Sequence, residues 1–384
     1  MSFRSFIFWP HLVCGVAAGI VILIMSVTGV LLTYEKQMIG WADHRRTAPV
    51  EAGSAALPVA QLLHSAAAGI GETPAAIAIA SNPTSPALVT AGSRRVLVDR
   101  YTGAVIGDSA PKLRAFFRVV TDWHRWLALS GEQRVLGKAI TGWSNLVFAF
   151  IVLSGMYLWL PRVWAWRNFK AVAIFKGGLR GKARDFNWHN VIGIWSAVPL
   201  FFVVISALPI SFPWASALVY RIAGETPPAP APRSAPQGSS QPSAKTSPLP
   251  IDGLDAAWQH AATKTDEWRT ITLRVPASAS APFVFTIDRG NAGQPHLRGT
   301  LNVPRTDATT ATWETFGAQS PGRQARSTLR FLHTGEVLGI LGQTIAGIAS
   351  LGGVFLVWTG LALTWRRFRN WRSRSTPQRL SRAA

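Results

Sequence analysis

Four histidines in this chain have spacings that suggest a shared chemistry. His11 and His189 each stand four residues before a glycine, and His124 and His333 each stand upstream of a Leu-Gly segment. A neutral imidazole is a good metal ligand, and imidazoles from two neighbouring helices can hold a b-type haem with one nitrogen on each face of the iron. The four histidines would therefore make two haem sites if the fold brings them together in pairs.

The composition indicates that these histidines belong to a membrane protein. Only 15% of the 384 residues are charged and 48% are hydrophobic, with 17 tryptophans. Because soluble domains have about 25% charged residues, the composition argues against a purely soluble enzyme. The single cysteine, Cys14, argues against a disulfide framework and against a cysteine-ligated iron–sulfur or zinc site.

Uncharged stretches of sufficient length predict four membrane-spanning helices. A hydrocarbon core about 30 Å thick requires roughly 20 apolar residues in a helix. Two other uncharged stretches, 52–71 and 73–93, contain scattered Ser, Asn, Pro and Gly and are rejected as spans. The predicted spans are residues 1–34, 138–161, 189–220 and 337–365, which gives an all-α membrane core.

The first span could instead be a signal peptide. Its apolar stretch is too long for one, and Thr33-Tyr34-Glu35-Lys36 is not a small-residue cleavage site. We therefore predict an uncleaved anchor, in which Cys14 is a small helix residue.

The distribution of positive charge predicts the orientation of the spans. Arg4, the connection 162–188 and the tail 366–384 together hold 15 basic residues and one acidic residue, in a chain of net charge +21. Because basic segments stay on the cytoplasmic side, both termini and the connection are expected there. The positive charge is explained by topology, which argues against nucleic acid as a partner.

This orientation sorts the histidines by side. His11 and His189 are expected at the cytoplasmic edge of the membrane, and His124 and His333 at the outer edge, each at one end of a span. Residues on opposite faces of a core about 30 Å thick cannot share a ligand. The predicted pairs are therefore His11 with His189 and His124 with His333.

An alternative is that these histidines only make hydrogen bonds at the interface and that small residues near them pack helices together. One face of the first span carries His11 and small residues from Gly15 to Gly29, and the fourth span has a similar stripe from Gly342 to Gly360. Small residues let helices approach closely or leave room for a flat macrocycle, so the stripes fit both interpretations.

The long loops outside the membrane predict two α+β domains, at 35–137 and 251–336. A Pro-rich linker at 221–250 precedes the second domain. Hydrophobic patterning predicts helices that open at Leu57 and span Leu254–Ala262. The predicted strands are Ala76–Ala80, Val96–Asp99, Ala104–Ile106, Thr270–Val275, Phe283–Asp288 and Gly299–Val303.

Matched spacings indicate an internal duplication of helix, outer domain and helix. Leu136-Gly137 is followed by Gly142 as Leu341-Gly342 is followed by Gly347. Gly142 and Gly155 are 13 residues apart, as are Gly347 and Gly360. The sequence therefore predicts two pseudo-repeated halves.

Residues outside the four histidines give little further chemistry. His44, His64, His260 and His296 lie in the long loops without partner spacing and are interpreted as surface or structural residues. The sequence contains neither a Gly-rich phosphate loop nor a flavin motif. Any electron donor would therefore be a membrane quinol or a separate protein.

Short motifs in the chain resemble the PepSY-associated transmembrane family of bacterial inner-membrane proteins. The resemblance covers nearly the whole chain, apart from the Pro-rich linker and the Arg-rich tail. The motifs are His11-Leu-Val-Cys-Gly15 with Ser26-Val-Thr-Gly29, Val98-Asp-Arg-Tyr-Thr-Gly-Ala-Val105, Trp188-His-Asn-Val-Ile-Gly193 and Phe331-Leu-His-Thr-Gly-Glu336.

Within that family the layout is similar to the FoxB-type siderophore reductases. This resemblance implies two b-type haems, with His11 and His189 as axial ligands on the cytoplasmic side and His124 and His333 on the periplasmic side. It also implies reduction of ferric siderophores such as ferrioxamine in the periplasm. The sequence departs from the pattern at Ser206-Ala-Leu-Pro209, where the first span has Ser-Val-Thr-Gly, and in the second loop at Asp288-Arg-Gly-Asn.

Two other functions stay open at this point. The chain could be a haem electron carrier for another acceptor, or a haem-free membrane anchor whose outer domains bind a protein partner such as a peptidase. For the reductase, Arg125, Lys138 and Arg330 are candidate docking groups for substrate because of their position near the outer pair.

Overall fold

The computed structural model describes residues 2–46, 54–161, 163, 165–229 and 249–375. It divides the chain into two units. The helical unit consists of residues 1–33, 117–216 and 329–384, and the sheet unit consists of residues 34–116 and 217–328. Most of the predicted Pro-rich linker, 230–248, lies outside the described residues, as do Arg162 and Trp164 of the basic connection and the end of the Arg-rich tail from 376.

Helices supply the whole of the helical unit and part of the sheet unit. In the described residues they are α1 (Phe3–Leu32), α2 (Glu35–His44), α3 (Val59–Ile70), α4 (Pro111–Trp126), α5 (Arg134–Trp159), α6 (Trp166–Ala173), α7 (Gly181–Ser211), α8 (Pro213–Ile222), α9 (Leu254–Ala262), α10 (Pro321–His333) and α11 (Gly339–Ser375).

Four helices, α1, α5, α7 and α11, are long and apolar enough to cross a membrane, as predicted. The third ends earlier than predicted, at Ser211 rather than Tyr220. The reason is Pro213, which has no N–H to continue the ladder of α7 and instead begins the separate helix α8. The two rejected stretches hold the short helix α3 and two strands, so their rejection is confirmed.

The four long helices pack as a closed bundle. α1 and α7 each contact both α5 and α11. The middle of the bundle is apolar, with Val152, Leu200 and Ala349 buried together and Phe148 and Phe201 packed against them. Such packing leaves little room for water within this apolar cluster.

One buried carboxylate fastens the beginning of α7 to the end of α11. The side chain of Asp185 is 3% exposed and accepts hydrogen bonds from Arg184 at 2.8 Å and from Arg366 at 3.2 Å. A buried charge requires such partners because removing it from water is costly. Asp185 is the one acidic residue in the predicted cytoplasmic segments, and its role here is structural.

The strands of the sheet unit form one antiparallel sheet in the order β4-β3-β2-β1-β5-β6-β7-β8. Its core lies between the sheet and the helices α3 and α9, where Leu62, Leu254, Ile77 and Leu273 are buried. The strands are β1 (Ala76–Ala80), β2 (Ala87–Ala91), β3 (Arg94–Val98), β4 (Val105–Asp108), β5 (Thr270–Arg274), β6 (Phe283–Asp288), β7 (Arg298–Val303) and β8 (Thr312–Thr315).

This single sheet differs from the two separate outer domains that the sequence predicts. β1 of the first loop pairs with β5 of the second, from Ala76 opposite Arg274 to Ala80 opposite Thr270. Each four-stranded half alone would leave β1 or β5 as an open edge, and pairing them removes both edges. The individual predicted helices and strands are found close to their predicted bounds, whereas β2 and β8 were not predicted.

Candidate functional site

The four candidate histidines all belong to the helical unit. His11 lies on α1 and His189 on α7, near the beginning of each long helix. His124 and His333 were expected at the ends of membrane spans. They lie instead in the last turns of α4 and α10, the shorter helices that precede α5 and α11.

The structure brings His124 and His333 together. Their ring centroids are 6.2 Å apart, and the ring planes make an angle of 44°. Two imidazoles that bind opposite faces of one metal ion through nitrogen atoms at about 2 Å have centroids about 6 Å apart. The His124–His333 pair therefore fits an axial pair on one haem iron.

His11 and His189 also come close to each other, near enough for the charge of one imidazole to act on the other. They lie toward the other end of the bundle from the His124–His333 pair. His11 is 17 residues along α1 from Thr28, which contacts His124, and this separation is about 25 Å at the rise of an α-helix. The two pairs thus occupy the two ends of the bundle, one pair at each end.

Each of the four imidazoles uses Nδ1 for a hydrogen bond within the protein. The nearest partners are hydroxyl oxygens for three rings and a backbone carbonyl for the fourth, and the backbones of Met25 and Leu356 also bond to His124 and His189 respectively. Nε2 of each ring has no hydrogen bond to any residue that the structure describes, so it is available to a metal. The Nδ1 contacts are His11 to Ser154 Oγ at 2.8 Å, His124 to Thr28 Oγ1 at 2.9 Å, His189 to Thr359 Oγ1 at 2.9 Å and His333 to the Val203 carbonyl at 2.8 Å.

Electrostatics keep the His124–His333 pair in the form that a metal requires. Burial, and to a smaller extent the neighbouring His333, lower the pKa of His124 to about 4. Burial also lowers the pKa of His333. Both imidazoles are therefore neutral at pH 7, with a nitrogen lone pair free for coordination.

Three of these rings lie against glycines, at positions where a larger residue would place its Cβ near the ring. A Cβ atom at Gly155 would lie 3.3 Å from Cε1 of His11, and one at Gly360 would lie 3.4 Å from Cε1 of His189. A Cβ at Gly29 would lie 3.7 Å from Cε1 of His124, which is an ordinary contact. In each case the glycine directly follows the hydroxyl residue that holds the same ring. The repeated Ser/Thr-Gly dipeptide thus both binds and accommodates an imidazole.

Substituting Gly155→Ala is expected to displace His11 and to lower the occupancy of the His11–His189 site severalfold, while the His124–His333 site keeps its occupancy. The added methyl group enters a contact tighter than van der Waals contact permits, so the ring or the helix must shift. Haem per chain, measured by pyridine haemochrome assay, checks this result. Gly19→Ala is the control because its Cβ would meet α11 at an ordinary 3.6 Å; equal losses in both variants would contradict the prediction.

Two further glycines hold the outer histidine helices against the bundle. A Cβ at Gly137 would overlap the carbonyl oxygen of Trp126, and a Cβ at Gly342 would overlap that of Gly335. Trp126 and Gly335 each stand two residues after a histidine, His124 and His333 respectively. The Leu-Gly segments that the sequence singles out therefore fix the ends of α4 and α10, and with them the two rings.

The predicted docking groups lie at the surface, and the charge of Arg125 acts on His124. Arg125, Lys138 and Arg330 are exposed, and the guanidinium of Arg125 lies 4.5 Å from the ring centre of Trp126. Within the described residues no group of three or more His, Cys, Asp or Glu side chains could hold a metal ion. The other four histidines, His44, His64, His260 and His296, all belong to the sheet unit.

Sequence reasoning missed the hydroxyl partners Ser154 and Thr359. Both residues stand directly before the glycines whose matched spacing defined the duplication, and this adjacency was the available signal. The carbonyl of Val203 has no sequence signal, because every residue carries one. It serves His333 where the sequence departs from the Ser-Val-Thr-Gly pattern of the first span.

Comparison with known families accounts for almost the whole chain. The model of the PepSY-associated TM region matches residues 8–367. No curated protein matches the sequence. The four long apolar helices and the family match together establish a membrane protein. The chain belongs to the PepSY-associated transmembrane family.

Proposed function

We propose that the protein is a dihaem membrane reductase that moves electrons across the membrane to ferric siderophores. The observation that carries this proposal is the His124–His333 pair, with ring centroids 6.2 Å apart and both Nδ1 atoms already bonded within the protein. The second pair, His11 and His189, supports a second haem at the other end of the bundle. All four imidazoles would act as axial ligands through Nε2.

The chain's own residues would hold and insulate the two redox centres. Haem supplies a one-electron ferric/ferrous couple when it is bound. The imidazoles would hold the two haem irons, and the apolar cluster around Val152, Leu200 and Ala349 would limit water between them. This arrangement contains neither a general acid nor a nucleophile, and a one-electron transfer requires neither.

The proposed reaction transfers one electron to each ferric ion of the substrate, which becomes ferrous. Ferrous iron is held less well by the hard oxygen ligands of a siderophore than ferric iron, so the metal is released. The donor is a membrane quinol or a cytoplasmic reductase. A quinol that loses two electrons and two protons becomes a quinone and reduces two ferric ions.

The orientation of the protein is part of this proposal. The basic residues of the connection 162–188 and of the end of α11 support cytoplasmic termini in a bacterial inner membrane. The His11–His189 pair would then lie on the cytoplasmic side, where electrons enter. The His124–His333 pair would lie on the periplasmic side, where the siderophore is reduced.

An internal duplication accounts for the matched contacts of the two halves. Gly137 packs against the backbone two residues after His124, and Gly342 packs against the backbone two residues after His333. Gly142 faces the end of α7, and Gly347 faces the end of α1. Each half would thus contribute one ligand to each haem, which explains why the histidines occur as four and not as two.

Purified wild-type protein tests this function directly. We expect two b-type haems per chain by pyridine haemochrome assay. We also expect the dithionite-reduced protein to be reoxidised by excess ferrioxamine, with ferrous iron appearing in a ferrozine trap. Less than one haem per chain from haem-replete cells would overturn the haem proposal and favour a haem-free anchor. Haem that stays reduced for minutes with ferrioxamine, but is rapidly oxidised by another acceptor, would overturn the siderophore assignment alone.

A further inference from the structure

The hydroxyl groups beside three of the histidines each have one hydrogen to donate. The distances around each hydroxyl oxygen indicate which atom accepts it. Ser154 Oγ lies 2.7 Å from the carbonyl oxygen of Phe150, and Thr359 Oγ1 lies 2.7 Å from that of Phe355. Thr28 Oγ1 makes the same bond to the carbonyl of Ile24, at 2.6 Å. Because a carbonyl oxygen can only accept, each hydroxyl must donate its hydrogen to its own helix.

A hydroxyl that has donated its hydrogen can only accept from the imidazole. The Nδ1 atoms of His11, His124 and His189 must therefore carry the proton in these bonds. The same holds for His333, whose Nδ1 faces the carbonyl of Val203. A neutral imidazole with a proton on Nδ1 has its lone pair on Nε2, the nitrogen that each ring leaves unbonded within the described structure.

We propose that Thr28, Ser154 and Thr359 are positioning residues that fix the Nδ1–H tautomer and the ring orientation of His124, His11 and His189. This inference rests on the proposed haem function and assigns residues to it that act through the ligands and do not touch the iron. Partners of this kind orient metal ligands and raise their basicity. The donated hydroxyl hydrogen polarises the oxygen and makes it a better acceptor for Nδ1–H.

The fourth ring, that of His333, has a backbone carbonyl as its partner, so it can be compared with the three rings that have a hydroxyl. In the second half Leu208-Pro209 stands where the first half has Thr28-Gly29, so no hydroxyl is available to His333 at that position. The backbone carbonyl of Val203 takes its place at 2.8 Å. Loss of a side chain cannot remove this bond. The His124–His333 site therefore has one ligand whose nearest partner is a hydroxyl and one whose nearest partner is a backbone carbonyl.

Removing each hydroxyl while keeping the side-chain volume tests the proposal. Thr28→Val, Ser154→Ala and Thr359→Val should each weaken haem retention at the affected site by about 10- to 100-fold, the usual effect of losing such a partner. The reduction potential of that haem should rise, because a less basic imidazole stabilises ferric iron less. The conservative variants Thr28→Ser, Ser154→Thr and Thr359→Ser should restore both properties.

Thr364→Val is the matched control for these variants. Its hydroxyl makes the same bond to its own helix, at 2.8 Å to the carbonyl of Gly360, but within the described structure it holds no imidazole. Potentials and haem retention equal to wild type are expected there. If the three test variants also match wild type in both, the positioning role is overturned although the haem function stands.

Nitrogen-15 NMR of histidine-labelled full-length protein reads the tautomer without relying on activity or haem retention. Four imidazoles should show a protonated, hydrogen-bonded Nδ1 in the protein as isolated and after reduction by dithionite, and each hydroxyl variant should shift the Nδ1 resonance of its own ring only. A wild-type protein with no haem but with the four Nδ1–H signatures would overturn the proposed function and leave the positioning role of the hydroxyls intact. A wild-type protein whose rings carry the proton on Nε2 would overturn the positioning role of the hydroxyls.

Discussion

Replacing His124 or His333 by leucine is expected to remove one of two haems and to reduce ferric siderophore reduction to the rate of buffer alone. The ring centroids are 6.2 Å apart and each ring would supply one of the two ligands, so neither can replace the other. The leucine side chain approximates the volume of imidazole and lacks its donor atom.

The remaining haem identifies which site was lost. In His124→Leu and His333→Leu the His11–His189 site should still bind haem and should still be reduced by dithionite. In His11→Leu and His189→Leu the other haem should remain instead. His260→Leu, in the sheet unit, is the control and should keep both haems. Loss of both haems from every single variant would indicate misfolding or a wrong pairing.

Gly342→Ala is expected to empty the His124–His333 site almost as completely as loss of a ligand. Its methyl group would overlap the carbonyl oxygen of Gly335 and would lie 2.7 Å from Cβ of Leu338. Neither is the far end of a flexible side chain, so the turn after His333 must move. Overpacking of this kind costs about 1–3 kcal/mol or more, and an axial ligand tolerates little displacement.

Gly137→Ala should have the same effect through the other ligand, because its methyl group would overlap the carbonyl oxygen of Trp126 and lie 2.8 Å from its carbonyl carbon. Redox titration followed by absorption should show one wave in place of two for either variant. The chain with Gly19→Ala should keep both waves. Two waves in the Gly137 and Gly342 variants, at wild-type potentials, would refute the role of these contacts.

Local signals in the sequence were sufficient to predict the membrane helices. Charge and apolar content act over one helix length, so α1, α5, α7 and α11 follow from the uncharged stretches. The histidine pairs were predicted only from the side of the membrane on which each residue was expected. In the structure His124 and His333 lie close together. The ends of these helices were less predictable. The break between α7 and α8 depends on one residue, Pro213, inside an apolar run.

Contacts between distant segments could not be predicted from the sequence. α4 and α10 contain arginines and have no uncharged run, so nothing marked them as the helices that carry His124 and His333. Ser154 and Thr359 look like ordinary small polar residues of membrane helices. Their role depends on a ring that reaches them from another helix, 143 and 170 residues away in the chain.

The central pairing of β1 with β5 has a consequence for how the protein is made. Ala80 and its partner Thr270 are about 190 residues apart, and α5 and α7 are synthesised between them. At ribosomal rates of about 5–20 residues per second, β1 waits roughly 10–40 s for its neighbour. During that time the alternating Ala and Ile residues of β1 form an open edge, which is a template for pairing with other chains. The yield of folded protein should therefore depend on elongation speed between these strands, and slow codons there should favour aggregation.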